Sequence, residues 1–135
     1  MSLIVKRPVI LKNIVTETFK KQLIEELSAA IKQIDMHLEQ MEFQMRRTIS
    51  ELEKNDPRRA RVAREEMMLE RQRQEQIRHN LQKKLEEVSK LEIGSEFITG
   101  TYDAPVKIEV GDNIRQKLSQ AEIIVKDGIV VGIRE

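Results

Sequence analysis

Cysteine is absent from the chain. Its absence excludes disulfides, thiol catalysis and cysteine-based zinc sites, and is in keeping with a reducing cytosol. Tryptophan is also absent, and with one tyrosine and three phenylalanines the aromatics amount to 3% of residues. So little aromatic surface argues against a large aromatic-lined pocket and against a stacking platform for single-stranded nucleic acid. Net charge is nearly absent too: 24 Lys and Arg against 23 Asp and Glu leave +1, so no global field demands a polyanionic partner. The N-terminal MSLIVKRP has only a short apolar run, with its charges after it. Neither a signal peptide nor a membrane span is expected. The expectation is a cytoplasmic protein without membrane association.

Glycine and proline are missing between residues 16 and 54, and that stretch carries a heptad repeat. Ile24, Ile31, Leu38, Met45 and Leu52 stand seven apart, with a second row at Leu27, Ile34 and Met41. The 3-4 spacing is the seam of a coiled coil. Thr16 is placed to cap the first helix, and Glu17 to support its positive N-terminal end. A helix from Thr16 to Lys54 would be about 58 Å long, ordinary only for a coiled coil. Asp56-Pro57 then reads as a restart, Asp as N-cap and Pro at the first helical position. The second helix is expected from Pro57 to Leu91, with Gly94 as the stop beyond it.

So short a connection makes the helices antiparallel. Residues equidistant from the Pro57–Arg58 bond then face one another: Ile24 and Leu91, Leu27 and Val88, Ile34 and Leu81, Leu38 and Ile77, Leu52 and Ala63. The same register predicts weak layers, Met41 against Gln74, Met45 against Glu70 and Ile31 against Lys84. The segment from Glu70 to Gln76 has no apolar residue. Either charged stems cover this seam or another subunit supplies apolar surface. Met36, Phe43 and Ile49 on the first helix, and Met68, Leu69 and Leu85 on the second, lie off the a/d rows. Met36, Phe43, Ile49, Met68 and Leu69 are therefore the candidates for an oligomer interface, and a homo-oligomer is expected. Scattered exposed apolar side chains are the plainer alternative.

The 58 residues outside 16–92 must build any globular core, close to the lower size limit for one. Residues 3–15 are rich in Val and Ile and read as one strand or two short ones, with Pro8 at an edge or kink. Residues 93–135 are β-rich. Phe97, Thr99 and Thr101 alternate, as do Val106, Ile108 and Val110. Gly111-Asp112-Asn113 is a turn, residues 114–118 a short helix, and Asp127-Gly128 the type I′ turn of a terminal hairpin. The fold class is α+β: a long antiparallel coiled-coil hairpin (16–92) inserted between an N-terminal strand (1–15) and a C-terminal β module (93–135), the latter a small antiparallel sheet or barrel.

VKRPVILKNIVT near the start, the long helical hairpin, IEVGDN and the terminal EIIVKDGIVVGIRE together resemble the YlqD family of bacterial proteins. Lys6-Arg7-Pro8-Val9, Val110-Gly111-Asp112-Asn113 and the Asp127-Gly128 hairpin carry the likeness most specifically. The resemblance implies a small cytosolic protein without an assigned activity, and supplies no catalytic residues.

Catalytic material is sparse. His37 and His79 fall at nearly the same level of the hairpin, and Glu39, Glu42 or Glu75 would complete a His–His–Glu metal set. Two solvated histidines on charged helices are the far commoner arrangement. None of the five glycines forms a phosphate-cradling motif before a helix. No enzyme activity, cofactor or metal is expected. The hairpin tip differs: Arg46, Arg47, Lys54, Arg58, Arg59, Arg61 and Arg64 stand against Glu51, Glu53 and Asp56, a net +4. Such a tip suits RNA, a ribosome or an acidic protein surface, or is a solvated turn paired with nearby glutamates. The leading expectation is a non-enzymatic structural or interaction protein that self-associates through its hairpin; the alternative is an RNA- or ribosome-associated factor using the tip.

Overall fold

The computed structural model describes all of residues 1–135. The elements run β1 (Ser2–Ile14), α1 (Glu17–Asn55), α2 (Pro57–Ser89), β2 (Glu96–Glu109), α3 (Ile114–Leu118), β3 (Ala121–Lys126) and β4 (Ile129–Arg134). The class is α+β, with a helical hairpin between the first strand and the other three. The chain forms two compact units, residues 1–21 with 91–135, and residues 22–90.

In the first unit the sheet order is β2-β1-β3-β4. β1 is one continuous strand, antiparallel to β2 from Ser2↔Glu109 to Ile14↔Glu96, with a bulge between Leu11 and Lys12. β1 also pairs in parallel with β3, from Val9↔Ala121 to Asn13↔Val125. The sheet is therefore mixed and open, with β2 and β4 as edges; it is neither a barrel nor wholly antiparallel. Pro8 lies one residue before the β3 pairing begins, where β1 has a neighbour on one side only. That is the edge-like setting in which a residue without an N–H is tolerated. At the β3–β4 turn, Lys126 pairs with Ile129, and Asp127 and Gly128 have φ of 47° and 82°. Two successive positive φ values are the type I′ geometry that matches strand twist.

Val9, Val15, Ala121 and Ile124 are the buried core of this unit. Val15 is tied on both sides of its backbone, donating to Ser95 O at 2.8 Å and accepting from Gly94 N at 2.7 Å. Thr16 caps α1 as expected: its Oγ1 accepts from the Phe19 N–H at 3.1 Å and donates to Asp127 Oδ1 at 2.7 Å. Phe19 packs on Phe97 with ring centroids 6.2 Å apart. One face of the sheet carries an ionic quartet. Lys12 Nζ lies 2.9 Å from Glu122 and 3.8 Å from Glu96, and Arg134 lies 2.6 Å from Glu96 and 3.2 Å from Glu122. Each of the four strands contributes one member.

In the second unit Asp56 alone separates the helices; its carboxylate accepts from the Arg59 N–H at 3.3 Å, and Pro57 follows. The helices run antiparallel: ion pairs join Asp35 to Arg78, Glu42 to Arg71 and Glu53 to Arg64. On α1 the inward row is Leu27, Ile31, Ile34, Leu38, Met41, Met45, Ile49 and Leu52. On α2 it is Ala60, Ala63, Met67, Glu70, Gln74, Arg78, Leu81, Leu85 and Val88. These rows keep the register centred on the turn but correct three of the expected placements. Lys84 is exposed and Leu85 half-buried, so Ile31 is not opposed by a lysine. Ile77 is 46% exposed, and Arg78 beside it is half-buried and paired with Asp35. Ile49 is only 9% exposed, so it belongs inside the hairpin and not to an outer interface. The cause is helical geometry. A straight helix drifts by about 20° per heptad against a 3.5-residue repeat. The inward row absorbs the drift by taking two consecutive steps of four, Met41-Met45-Ile49 and Glu70-Gln74-Arg78.

Candidate functional site

The hairpin carries three surface features. The first is a groove where the seam is weakest. Glu70 and Gln74 replace apolar residues there, and their side chains satisfy each other, the Gln74 amide donating to Glu70 at 3.0 Å. That hydrogen bond, aided by Arg73, holds the Glu70 carboxyl below the usual carboxylate range. These half-buried polar side chains leave space over the methionines. A groove of about 320 Å³ results, floored by Met41, Met45 and Met67 and rimmed by Glu66, Leu69, Glu70 and Arg73. A second hollow shares Glu66 and continues along the helices past Val62, Ala63, Leu52 and Arg59. Val62, Glu66, Leu69 and Arg73 follow one another at steps of four, three and four, and so form one stripe of α2.

The second feature is a ridge on α1. Met36 and Phe43 are 52% and 65% exposed, and with Glu39 and Gln40 they line a shallow surface of their own. Glu39 and Arg47 flank Phe43 four residues away on either side, which puts all three on one stripe. Of the other expected interface residues, Met68 and Leu69 are 62% and 53% exposed, and Leu69 stands on the groove rim. Met36, Met41, Met45, Met67 and Met68 are the only methionines besides Met1. All five lie on the hairpin. Flexible thioethers adapt to irregular apolar partners.

The third feature is the tip. Arg46 is paired with Glu42 at 3.1 Å and Arg64 with Glu53. Arg47, Lys54, Arg58, Arg59 and Arg61 take part in no ion pair and are exposed. The first turn of α2 has no acidic residue, although that is where the peptide dipoles favour one.

The histidines do not converge on anything. His37 and His79 are exposed, and no three His, Asp or Glu side chains gather as metal ligands. Sequence reasoning missed the groove as a shaped feature, although its signal was present in the apolar-free segment from Glu70 to Gln76. No helix is long and apolar enough to cross a membrane.

The architecture defines a class: an α+β protein whose open mixed sheet is interrupted in sequence by a long helical hairpin. The profile of the YlqD protein family matches residues 3–134, and the chain belongs to that family. A crystal structure of a protein of unknown function from Synechococcus sp. WH 8102 is similar throughout. Its TM-score is 0.86 at 27% identity, over 100% of this chain and 96% of that one. Comparison with curated proteins found no match.

Proposed function

We propose that this protein is a non-enzymatic interaction protein that self-associates through its hairpin, the Met36–Phe43 ridge of one copy seating in the methionine-floored groove of another. The observation that carries the reading is complementarity. On the ridge Phe43 stands between an acid, Glu39, and a base, Arg47, with Met36 beyond Glu39. The groove has its methionine floor between an acid, Glu66, and a base, Arg73, the latter shared with Glu70 on the same rim at 3.2 Å. The two charge pairs are spaced about 12 Å and 10.5 Å along their helices. Laying the ridge antiparallel to α2 sets Glu39 against Arg73 and Arg47 against Glu66. Burying Phe43 and Met36 would contribute about 1.5–3 kcal/mol each. The cysteine-free composition is in keeping with a cytoplasmic location.

Light scattering and sedimentation velocity on the purified chain test this reading. The wild type is expected to be oligomeric at tens of micromolar. Phe43→Glu, at an exposed site, is expected to be monomeric with undiminished helicity. Glu39→Arg or Arg73→Glu alone should weaken association by about 2- to 5-fold, and the double exchange should restore it. A wild type that is strictly monomeric at those concentrations, with its hairpin cooperatively folded, sinks the proposal. So does a Phe43→Glu variant that associates normally.

A further inference from the structure

We infer that the exposed cations of the hairpin tip, Lys54, Arg58, Arg59 and Arg61, hold the phosphate backbone of double-helical nucleic acid. The first ground is that the chain neutralises two of its tip arginines and leaves the rest free, Arg47 on the ridge stripe among them. Arg46 has Glu42 and Arg64 has Glu53, whereas these four have no carboxylate partner and face water. Four like charges crowded at one end of a hairpin repel one another, and no carboxylate within ion-pair reach offsets that repulsion. A bound polyanion does.

Three further observations separate a duplex from other polyanions. Of the large apolar side chains at the tip only Val62 is exposed, and a lone valine is a poor anchor for a protein partner. An acidic protein surface is therefore the poorer fit. No aromatic residue occurs between Phe43 and Phe97, so single-stranded bases have nothing to stack on. Three of the four cations are arginines, whose planar forks engage phosphate oxygens two at a time. Contacts to phosphate without contacts to bases carry no sequence preference. The tip thus reads charge and backbone shape alone.

The inference does not depend on self-association, and Phe43→Glu should leave it intact at the level of a single site. Fluorescence anisotropy of the full-length protein with a labelled RNA duplex, and with a DNA duplex of the same sequence, tests it. Binding to either supports the inference, and the tighter of the two tells RNA from DNA. With four phosphates contacted, affinity should fall about 100-fold between 50 and 200 mM salt. The triple reversal Arg58→Glu, Arg59→Glu, Arg61→Glu should abolish binding with helicity retained. The triple replacement by lysine keeps the charge but loses the bidentate forks, so affinity should fall by about 3- to 10-fold with the salt slope unchanged. Arg61→Gln alone, a mild change at an exposed helical site, should reduce the salt slope by about one. Absence of binding to both duplexes at low salt overturns the inference, as does undiminished binding by the triple reversal. Displacement of the duplex by polyglutamate at equal charge concentration would assign the tip to an acidic protein instead, and also overturns it.

Discussion

Lys12, Glu96, Glu122 and Arg134 tie the four strands of the sheet through side chains alone, and their protonation sets how the sheet unit responds to acid. Hydrogen bonds from Arg134 hold the Glu96 carboxyl below its usual value near 4.5, and a hydrogen bond from Lys12, seconded by Arg134, does the same for Glu122. Both carboxylates raise the pKa of Arg134 in return. A carboxyl depressed in the folded state binds protons more readily once unfolded. The quartet's contribution is therefore complete above about pH 4.5 and is lost as pH falls through the lower folded values. Urea midpoints at neutral pH and at acid pH on either side of that value, followed through the single tyrosine, Tyr102 on β2, check this. The wild type should lose stability over the acid range. Glu96→Gln with Glu122→Gln should start lower at neutral pH and decline less. Parallel curves for the two proteins would mean the quartet is energetically idle, as exposed ion pairs often are.

At the scale of elements, the hairpin is limited by its middle. Glu70 and Gln74 are half-buried at inward positions of α2, Glu70 beside Met41 and Met45, so two successive layers hold polar side chains where apolar ones would pack. Replacing both by Leu should stabilise the hairpin by about 1–3 kcal/mol, read as a rise in the urea midpoint of the helical signal. Filling the groove should also weaken self-association, which separates its effect from that of a simple core improvement. Thr48→Glu and Ile49→Glu make the complementary pair. The first, on an exposed site, should be nearly neutral, and the second should cost about 2 kcal/mol or more. That contrast is also where sequence reading reached its limit. The seam, the turn at Asp56-Pro57, the Thr16 cap and the Asp127-Gly128 hairpin were legible because each rests on neighbours a few residues apart. The heptad rows, extended rigidly, put Thr48 inward and Ile49 outward, and Ile77 inward in place of Arg78. The α1 rows held at Leu27, Ile34, Met45 and Leu52 and failed between the last two, where the extra step of four brings Ile49 inward in place of Thr48. The parallel pairing of β1 with β3 joins residues over a hundred positions apart, and no local pattern announces it. Of the candidate site, the Met36–Phe43 stripe and the basic tip were readable from spacing and charge. The groove was not, because its volume depends on which way two polar side chains turn.

At the scale of the molecule, the two compact units have separate reporters. Tyr102 belongs to the sheet unit, while nearly all the helix lies within residues 22–90. A ligand that binds only the folded form stabilises it in proportion to the logarithm of its concentration, by about 2.7 kcal/mol at a hundredfold excess over its Kd. If the ligand is another copy of the hairpin, the protein's own concentration plays that part. The helical signal in far-ultraviolet circular dichroism should therefore melt at rising temperature as protein concentration is increased about a hundredfold. Tyr102 fluorescence should stay put, because the ridge and groove both lie outside its unit. Phe43→Glu should remove the concentration dependence of the helical signal and leave the tyrosine transition unchanged. Both signals moving together would show that the units unfold as one, and would relocate the stabilisation to the whole chain. Neither signal moving would mean that the ridge and groove do not meet at these concentrations, whatever the complementarity of their charges.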